Sequence, residues 1–125
     1  QAAISFLVTM EEVDTNRVGL VGYSAGAAFS LSVGAGDARI KALAAVSPPL
    51  MMFDFGFLQD CLKPKLLVSG SEDGFTPVSR FIEFCQSLSE PNEYDSIDGG
   101  DHFWWGYESE LAARVTTFFI KVLQC

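Results

Sequence analysis

The sequence RVGLVGYSAG, residues 17–26, places a serine between two glycines directly after a short apolar run. A run rich in Val and Leu that ends at Gly22 is typical of a strand buried on both faces. The next residues, AGAAFSLSVGAG at 25–36, are small and apolar and predict a helix. The pattern therefore predicts a tight strand-to-helix turn at Ser24. Gly22 and Gly26 would avoid clashes with the neighbouring strand and helix.

The rest of the chain alternates apolar runs with helical patterns. Further strands are predicted at 40–47, 65–70 and 92–98, and further helices at 1–13, 76–88 and 108–123. This order predicts an α/β fold with a parallel β-sheet, flanking helices and right-handed crossovers. A length of 125 residues favours one domain spanning residues 1–125.

Finer signals refine three of these elements. The strand at 92–98 is the least apolar, so we expect it near an edge of the sheet. Thr76 is suited to cap the helix at 76–88, with Pro77 in its first position. The last helix carries one apolar stripe, which predicts its buried face. The stripe consists of Leu111, Val115, Phe118, Phe119 and Val122. Between the strands at 40–47 and 65–70 we expect a loop with a helical turn.

Composition excludes several classes of function. The net charge of −8 comes from 8 basic and 16 acidic residues, which argues against nucleic-acid binding and favours solubility. No apolar run is long enough to span a membrane. No residues have metal-ligand or phosphate-loop spacing, so we expect neither a metal nor a cofactor. Charged residues make up only 19% of the chain, which predicts that another surface covers part of it.

The chain has three cysteines, Cys61, Cys85 and Cys125. Their odd number and long spacing argue against a disulfide framework and against a zinc site. We expect Cys85 to be a small buried apolar residue. The cysteine usage favours a reducing compartment and a cytoplasmic location.

The predicted turn would present the Ser24 hydroxyl at the carboxyl end of the sheet. The amide N–H of Ala25 and the positive end of the following helix would face an oxygen that becomes negative. A serine hydroxyl needs a base near neutral pH. His102 is the single histidine and lies in GGDHFWWG, where aromatic residues 103–105 would shield it from water. Together these residues predict a nucleophilic serine.

An imidazole base needs a carboxylate that fixes its tautomer. Asp73, in SGSEDGFTP just past the strand at 65–70, is the preferred candidate. Its rivals are Glu72, which would point to the other side, and Asp101, which would bond backbone locally. Ser24, Asp73 and His102 each follow a strand, so they should meet at one sheet edge, where ligands of open α/β sheets bind.

Four apolar or aromatic residues are candidates for contacting a substrate. Tyr23 adjoins the serine, Met51 lies in the long loop, and Phe75 and Phe103 flank the acid and the base. For each of them, packing against the sheet is the alternative role.

The stretches VGLVGYSAGAAFSL, SPPL, FDFGFL, PKLLVSGSEDGFTP and GGDHFWWG carry a family resemblance. With them the chain resembles the α/β-hydrolase superfamily, and within it the small, cap-less, dienelactone-hydrolase-like serine hydrolases. The resemblance implies that Ser24 is the nucleophile, Asp73 the acid and His102 the base. It also implies that the Ala25 amide is one oxyanion donor.

The resemblance also implies a missing part. Such a fold has eight strands, and the four predicted here would be the fifth to the eighth, so the chain looks like an N-terminally truncated, C-terminal half. The absent half would supply the second oxyanion donor, whose loss costs on the order of 10²–10³ in rate. We therefore expect a weak or inactive catalyst. The free edge of the strand at 17–22 should self-associate or pair with the missing N-terminal half.

The reaction implied is hydrolysis of a carboxylic ester or related acyl bond in a small-molecule substrate, through an acyl-enzyme. Amide, thioester and lactone bonds need the same groups, so a serine peptidase or thioesterase stays open. The alternative is a catalytically weak half-domain that acts as a binding or assembly module.

Overall fold

A computed structural model describes residues 17–123 of the chain. The helix predicted at residues 1–13 lies outside this part. The described elements, in chain order, are β1 (Gly19–Tyr23), α1 (Ala25–Gly36), β2 (Ala42–Val46), a 3₁₀ turn (Gly56–Leu58), β3 (Lys65–Gly70), α2 (Val78–Gln86), β4 (Asn92–Ile97) and α3 (Glu108–Leu123).

The strands form one four-stranded parallel sheet in the order β1-β2-β3-β4. From β2 onward, each strand lies beside the one that precedes it in the chain. Because the strands are parallel, the carboxyl ends of all four lie at the same end of the sheet. The predicted fold class, a parallel sheet with flanking helices, is confirmed. β4 lies at an edge of the sheet, as its composition predicted.

Helices cover both faces of the sheet. On one face, α1 and α2 bury side chains such as Leu31 and Phe81 against Leu43 and Leu67. On the other face, α3 packs its predicted apolar stripe, centred on the buried Phe118, against β2 and β3. Because β2 and β3 are covered on both faces, every residue in them is buried.

The sequence predicts that β1 is buried on both faces, but part of the strand is exposed. Val21 is 51% exposed and Tyr23 is 45% exposed. The reason is position: β1 lies at the second edge of the described sheet, and α3 packs over β2 and β3. Among residues 17–123, nothing pairs with the outer edge of β1.

The start of α2 also differs from its prediction. The helix begins at Val78, and Pro77 occupies the capping position in extended conformation, with no side-chain capping bond. The buried Thr76 hydroxyl donates to the carbonyl of Pro48 at 3.0 Å and accepts the amide N–H of Leu50 at 3.1 Å. Thr76 therefore ties the loop after β2 to the start of α2 instead of capping the helix.

Two cysteines fall in the described part, and both are free and buried. Burial raises the pKa of the Cys85 thiol to about 12, as expected for a small apolar core residue. Within residues 17–123, no helix is long and apolar enough to cross a membrane. The same part of the chain has no group of three or more His, Cys, Asp or Glu residues arranged to hold a metal ion.

Candidate active site

Ser24 occupies a strained turn between β1 and α1. Its backbone has φ 55° and ψ −133°, a conformation that non-glycine residues rarely adopt. The amide N–H of Ser24 donates to the carbonyl of Val46 at 2.9 Å, which anchors the turn to β2. A Cβ atom at Gly22 would lie 2.6 Å from Cα of Ala27 in α1, so the turn requires glycine there.

The sequence also predicts that a side chain at Gly26 would clash with the neighbouring strand or helix, and this prediction is wrong. A Cβ atom added there would meet no described atom within 4 Å. Gly26 lies in the first turn of α1, on a side that no described residue covers. The clash expected at this position is therefore absent from residues 17–123.

His102 connects Ser24 to Asp73 through both of its ring nitrogens. Nε2 lies 2.7 Å from Oγ of Ser24, and Nδ1 lies 2.9 Å from Oδ2 of Asp73. The Asp73 side chain is fully buried, and that of His102 is 6% exposed. The structure therefore brings together the three residues that the sequence singled out, at the carboxyl edge of the sheet.

The second carboxylate oxygen of Asp73 is held by the backbone. Oδ1 accepts the amide N–H groups of Phe75 at 2.7 Å and Thr76 at 3.3 Å. Oδ2 is therefore left to accept a hydrogen bond from the imidazole. This bond places the ring hydrogen on Nδ1 and leaves a lone pair on Nε2. That tautomer accepts the Ser24 hydroxyl hydrogen at Nε2.

The rival carboxylates take other positions. Glu72 is exposed, and its side chain makes no hydrogen bond or ion pair with the imidazole. Asp101 accepts the amide N–H of Trp105 at 3.1 Å, a local backbone bond of the kind expected for it. In this geometry Asp73 is the carboxylate hydrogen-bonded to the imidazole.

Ala25 directly follows Ser24 in the chain. Ala25 is the first residue of α1, so its N–H has no preceding helical carbonyl as a partner. α1 is 12 residues long, and its positive end adds to the attraction for a negative oxygen at that point.

Three of the four predicted substrate residues surround His102. The ring centroid of Phe75 lies 4.4 Å from that of the imidazole, Phe103 lies at 5.2 Å and Tyr23 at 5.7 Å. The Phe75 and Phe103 rings remain exposed, so each can contact a substrate as well as His102.

Tyr23 also makes a polar contact that the sequence did not suggest. Its hydroxyl donates to the carbonyl oxygen of His102 at 2.8 Å. Burial raises the pKa of Tyr23, and the negative charges of Asp73 and Asp101 raise it further. The phenol is therefore a stable hydrogen-bond donor at neutral pH.

Met51 lies apart from this group. It lines a groove of about 290 Å³ with Leu50, Gln59 and residues of α2. Neither Ser24 nor His102 lines that groove. The structure thus does not join Met51 to the other candidates.

A second groove, of about 420 Å³, lies between β1 and α3 beside the candidate site. Its lining is mostly apolar and includes Val21, Tyr23, Phe103, Leu111 and Val115. On the β1 side the groove is bounded by Val21 and Tyr23, which are both about half exposed.

Comparison of the chain with known protein families finds a match. The family model described as PET hydrolase-like matches residues 3–123, nearly the whole chain. The chain belongs to the PET hydrolase-like family. The order of Ser24, Asp73 and His102 along this PET hydrolase-like chain agrees with the resemblance to α/β-hydrolases.

Solved structures confirm the superfamily and the fold. An α/β serine hydrolase homologue from Coxiella burnetii is 30% identical with a TM-score of 0.75, covering 88% of this chain and 51% of its own. XC6422 from Xanthomonas campestris, an α/β serine hydrolase without a lid, is 20% identical with a TM-score of 0.78. That match covers 96% of this chain and 53% of the other.

The uncharacterized protein RP471 of Rickettsia prowazekii (strain Madrid E) is 24% identical over 111 residues, which are 82% of this chain and 47% of that protein. The PET hydrolase-like chain therefore spans about half the length of the relatives it matches.

Proposed function

We propose that this chain is a serine hydrolase that cleaves a carboxylic ester or a related acyl bond. The observation that carries the proposal is the continuous hydrogen-bonded path from the Ser24 hydroxyl through His102 to Asp73. The strained backbone of Ser24 and the membership of a hydrolase family support the same conclusion.

In the first half of the proposed reaction, Oγ of Ser24 attacks the substrate carbonyl carbon while Nε2 of His102 takes the hydroxyl proton. The negative oxygen of the tetrahedral intermediate accepts a hydrogen bond from the Ala25 amide. When the intermediate collapses, the alcohol leaves with the proton from Nε2. The acyl group remains as an ester on Ser24.

In the second half, Nε2 of His102 takes a proton from water, and the resulting oxygen attacks the acyl carbon. Collapse of the second intermediate breaks the bond to Oγ, and Nε2 returns the proton to Ser24. The product is a carboxylic acid, and the enzyme is restored. Asp73 stays ionised throughout and stabilises the transient imidazolium.

The exposed rings of Phe75 and Phe103 favour a small ester with an apolar group next to the scissile bond. Amide, thioester and lactone bonds react through the same steps, so a peptidase or thioesterase of the same fold stays a rival. The free thiols of Cys61 and Cys85 favour a reducing, cytoplasmic setting for this chemistry.

The outer edge of β1, which pairs with no described strand, supports a second part of the proposal. An apolar strand with unpaired backbone groups readily pairs with another strand. We expect this edge to bind a second copy of the chain or an N-terminal half like that of the longer relatives. Such a partner would also cover the groove beside Val21 and supply a second oxyanion donor.

The alternative function is a binding or assembly module with little catalysis. The two functions differ in the reactivity of Ser24. A fluorophosphonate probe labels a serine activated by a neighbouring base, because its phosphorus is attacked as a carbonyl carbon would be.

The test compares labelling of the wild type with that of Ser24→Ala and Ser32→Ala. Ser32 is the matched control, since it is an exposed serine on α1 whose hydroxyl donates to the carbonyl of Phe29 at 2.9 Å. Labelling that is lost only in Ser24→Ala supports the hydrolase. No labelling of the wild type, alone or with an N-terminal half added, would support the binding module.

A substrate series then separates the bond classes. One acyl group is offered as a p-nitrophenyl ester, a p-nitroanilide and a thioester, and kcat/KM is measured for each. The proposal expects the ester to react fastest. A preference for the anilide or the thioester would select the peptidase or thioesterase instead.

A further inference from the structure

The main-chain carbonyl of His102 is held from two sides by hydroxyl groups. The Tyr23 hydroxyl donates to it at 2.8 Å and the Ser47 hydroxyl at 3.3 Å. Tyr23 is the last residue of β1, and Ser47 directly follows β2. The loop that carries the imidazole is thus fastened to the carboxyl ends of two adjacent strands.

The Ser47 hydroxyl is itself fixed in direction. It accepts the indole N–H of Trp104 at 2.9 Å. An indole nitrogen only donates, so the single hydroxyl hydrogen of Ser47 is left for the His102 carbonyl. Ser47 is fully buried, and its amide N–H donates to the carbonyl of Val68 at 2.8 Å, which leaves it little freedom to move.

The backbone around these groups is strained. Ser47 has φ 50° and Trp104 has φ 63°, both in the left-handed region that non-glycine residues seldom occupy. Such strain persists only where the surrounding contacts enforce it, and it is concentrated at functional sites. Here the turn at Trp104 places its buried indole N–H within hydrogen-bond distance of the Ser47 hydroxyl.

We propose that Tyr23, Ser47 and Trp104 are positioning residues that clamp the main chain of His102 and so set the distance from its imidazole to Ser24. The proposal rests on the proposed function of His102 as the base. Proton transfer requires the 2.7 Å contact between Nε2 and Oγ, and a displacement of about 1 Å can cost on the order of 100-fold in rate. None of the three residues exchanges a proton with the substrate.

The chain offers a direct readout, because His102 is its only histidine. The full chain is prepared with ¹⁵N-labelled histidine, so that the proton on Nδ1, which is hydrogen-bonded to Asp73, gives one NMR signal. The rate at which this proton exchanges with water reports how firmly the imidazole is held. The variants are Tyr23→Phe, Ser47→Ala and Trp104→Phe. Tyr23→Phe keeps the aromatic ring and removes only the hydroxyl.

Ser69→Ala is the matched control for Ser47→Ala. Ser69 is a fully buried serine near the carboxyl end of β3, and its hydroxyl has no partner among the described residues. It should leave the His102 signal unchanged. Ser47→Ala should speed exchange of the Nδ1 proton and slow fluorophosphonate labelling about 10- to 100-fold.

Tyr23→Phe should also speed exchange and slow labelling. In the double variant Tyr23→Phe/Ser47→Ala, the labelling rate should fall by more than the product of the two single fold-decreases, since both hydroxyls hold one carbonyl. If Tyr23→Phe and Ser47→Ala both match Ser69→Ala in exchange and in labelling, the clamp is refuted. If the Ser47 variant does not fold, Tyr23→Phe, which alters an exposed side chain, decides alone. Failure of the proposed function would appear separately, as equal labelling of wild type and Ser24→Ala.

Discussion

Nδ1 of His102 lies 2.9 Å from Oδ2 of Asp73, and neither side chain is more than 6% exposed. Two groups from different loops meet in a site from which water is largely excluded. The position of the bond depends on the sheet, because each residue follows a strand and adjacent strands end together.

Asp73→Asn should slow labelling of Ser24 by about 10³–10⁴-fold, because an amide in that place favours the wrong tautomer of the imidazole. Fluorophosphonate labelling rates measure the effect. Glu72→Gln is the control, since Glu72 is adjacent in sequence but exposed, and its labelling should equal that of the wild type. Equal losses in both variants would contradict the assignment of Asp73.

The two glycines around Ser24 should respond differently to alanine. Gly22→Ala should lower the free energy of unfolding by roughly 1–3 kcal/mol, because its Cβ would lie 2.6 Å from the backbone of Ala27. Gly26→Ala should leave stability unchanged or raise it by up to about 1 kcal/mol, because its Cβ meets nothing within 4 Å. Urea unfolding of both variants checks the difference, and a larger loss at Gly26 would show that something covers that side of α1.

The outer edge of β1, which pairs with no other strand in residues 17–123, should cause association. Val21 is 51% exposed on this strand, and a lysine there should oppose strand pairing by placing charge at the edge. Sedimentation velocity should find the wild type associated and Val21→Lys shifted toward the monomer. Thr116→Lys adds the same charge at an exposed position of α3 and should not alter association. A monomeric wild type at all concentrations would argue against an adhesive edge.

Lys65 should make stability depend on pH in the alkaline range. The residue is buried, and its ammonium donates to the carbonyls of Cys61 at 2.6 Å and of Lys63 and Pro91 at 3.2 Å. Burial lowers the pKa of Lys65, so the folded chain releases this proton at a lower pH than the unfolded chain. In that window the unfolded state holds more protons, and stability rises with pH.

Lys65→Met tests both effects. It should cost roughly 1–3 kcal/mol at neutral pH, because buried carbonyls lose their donor. The difference in free energy of unfolding between wild type and Lys65→Met should widen as pH rises toward the ordinary lysine pKa. Lys41→Met, which removes the charge of an exposed lysine, is the matched control for loss of a positive charge. A flat difference for Lys65→Met would mean that burial does not perturb the ionisation of Lys65.

Elements with strong local signals could be predicted closely from the sequence. The predicted bounds of α1 and β3 coincide with those observed, Ala25–Gly36 and Lys65–Gly70. In both, an abrupt change between apolar residues and turn residues marks the ends. The strained serine turn was also predictable, because a serine flanked by glycines between a strand and a helix is typical of such a turn.

Contacts between distant residues could not be predicted in this way. Thr76 has the composition of a helix cap, but its hydroxyl bonds the carbonyl of Pro48, 28 residues away. The bond between Trp104 and Ser47 joins residues 57 positions apart, and neither has a local signature. The exposure of Val21 and Tyr23 on β1 did not follow from the apolar run itself, because such a run has the same sequence whether or not a neighbouring strand is present. The free edge of this strand was expected only from the resemblance to a longer fold.

The consecutive strand order has a consequence for how the chain is made. As the polypeptide leaves the ribosome, β2 can settle on β1, then β3 on β2 and β4 on β3, so none of these strands has to wait for one synthesised later. Growth runs in one direction, away from β1. Among the described strands, the sheet edge that is synthesised first, on β1, is therefore also an edge that stays unpaired when the last strand has been added. A partner strand has the remaining time of translation in which to reach it.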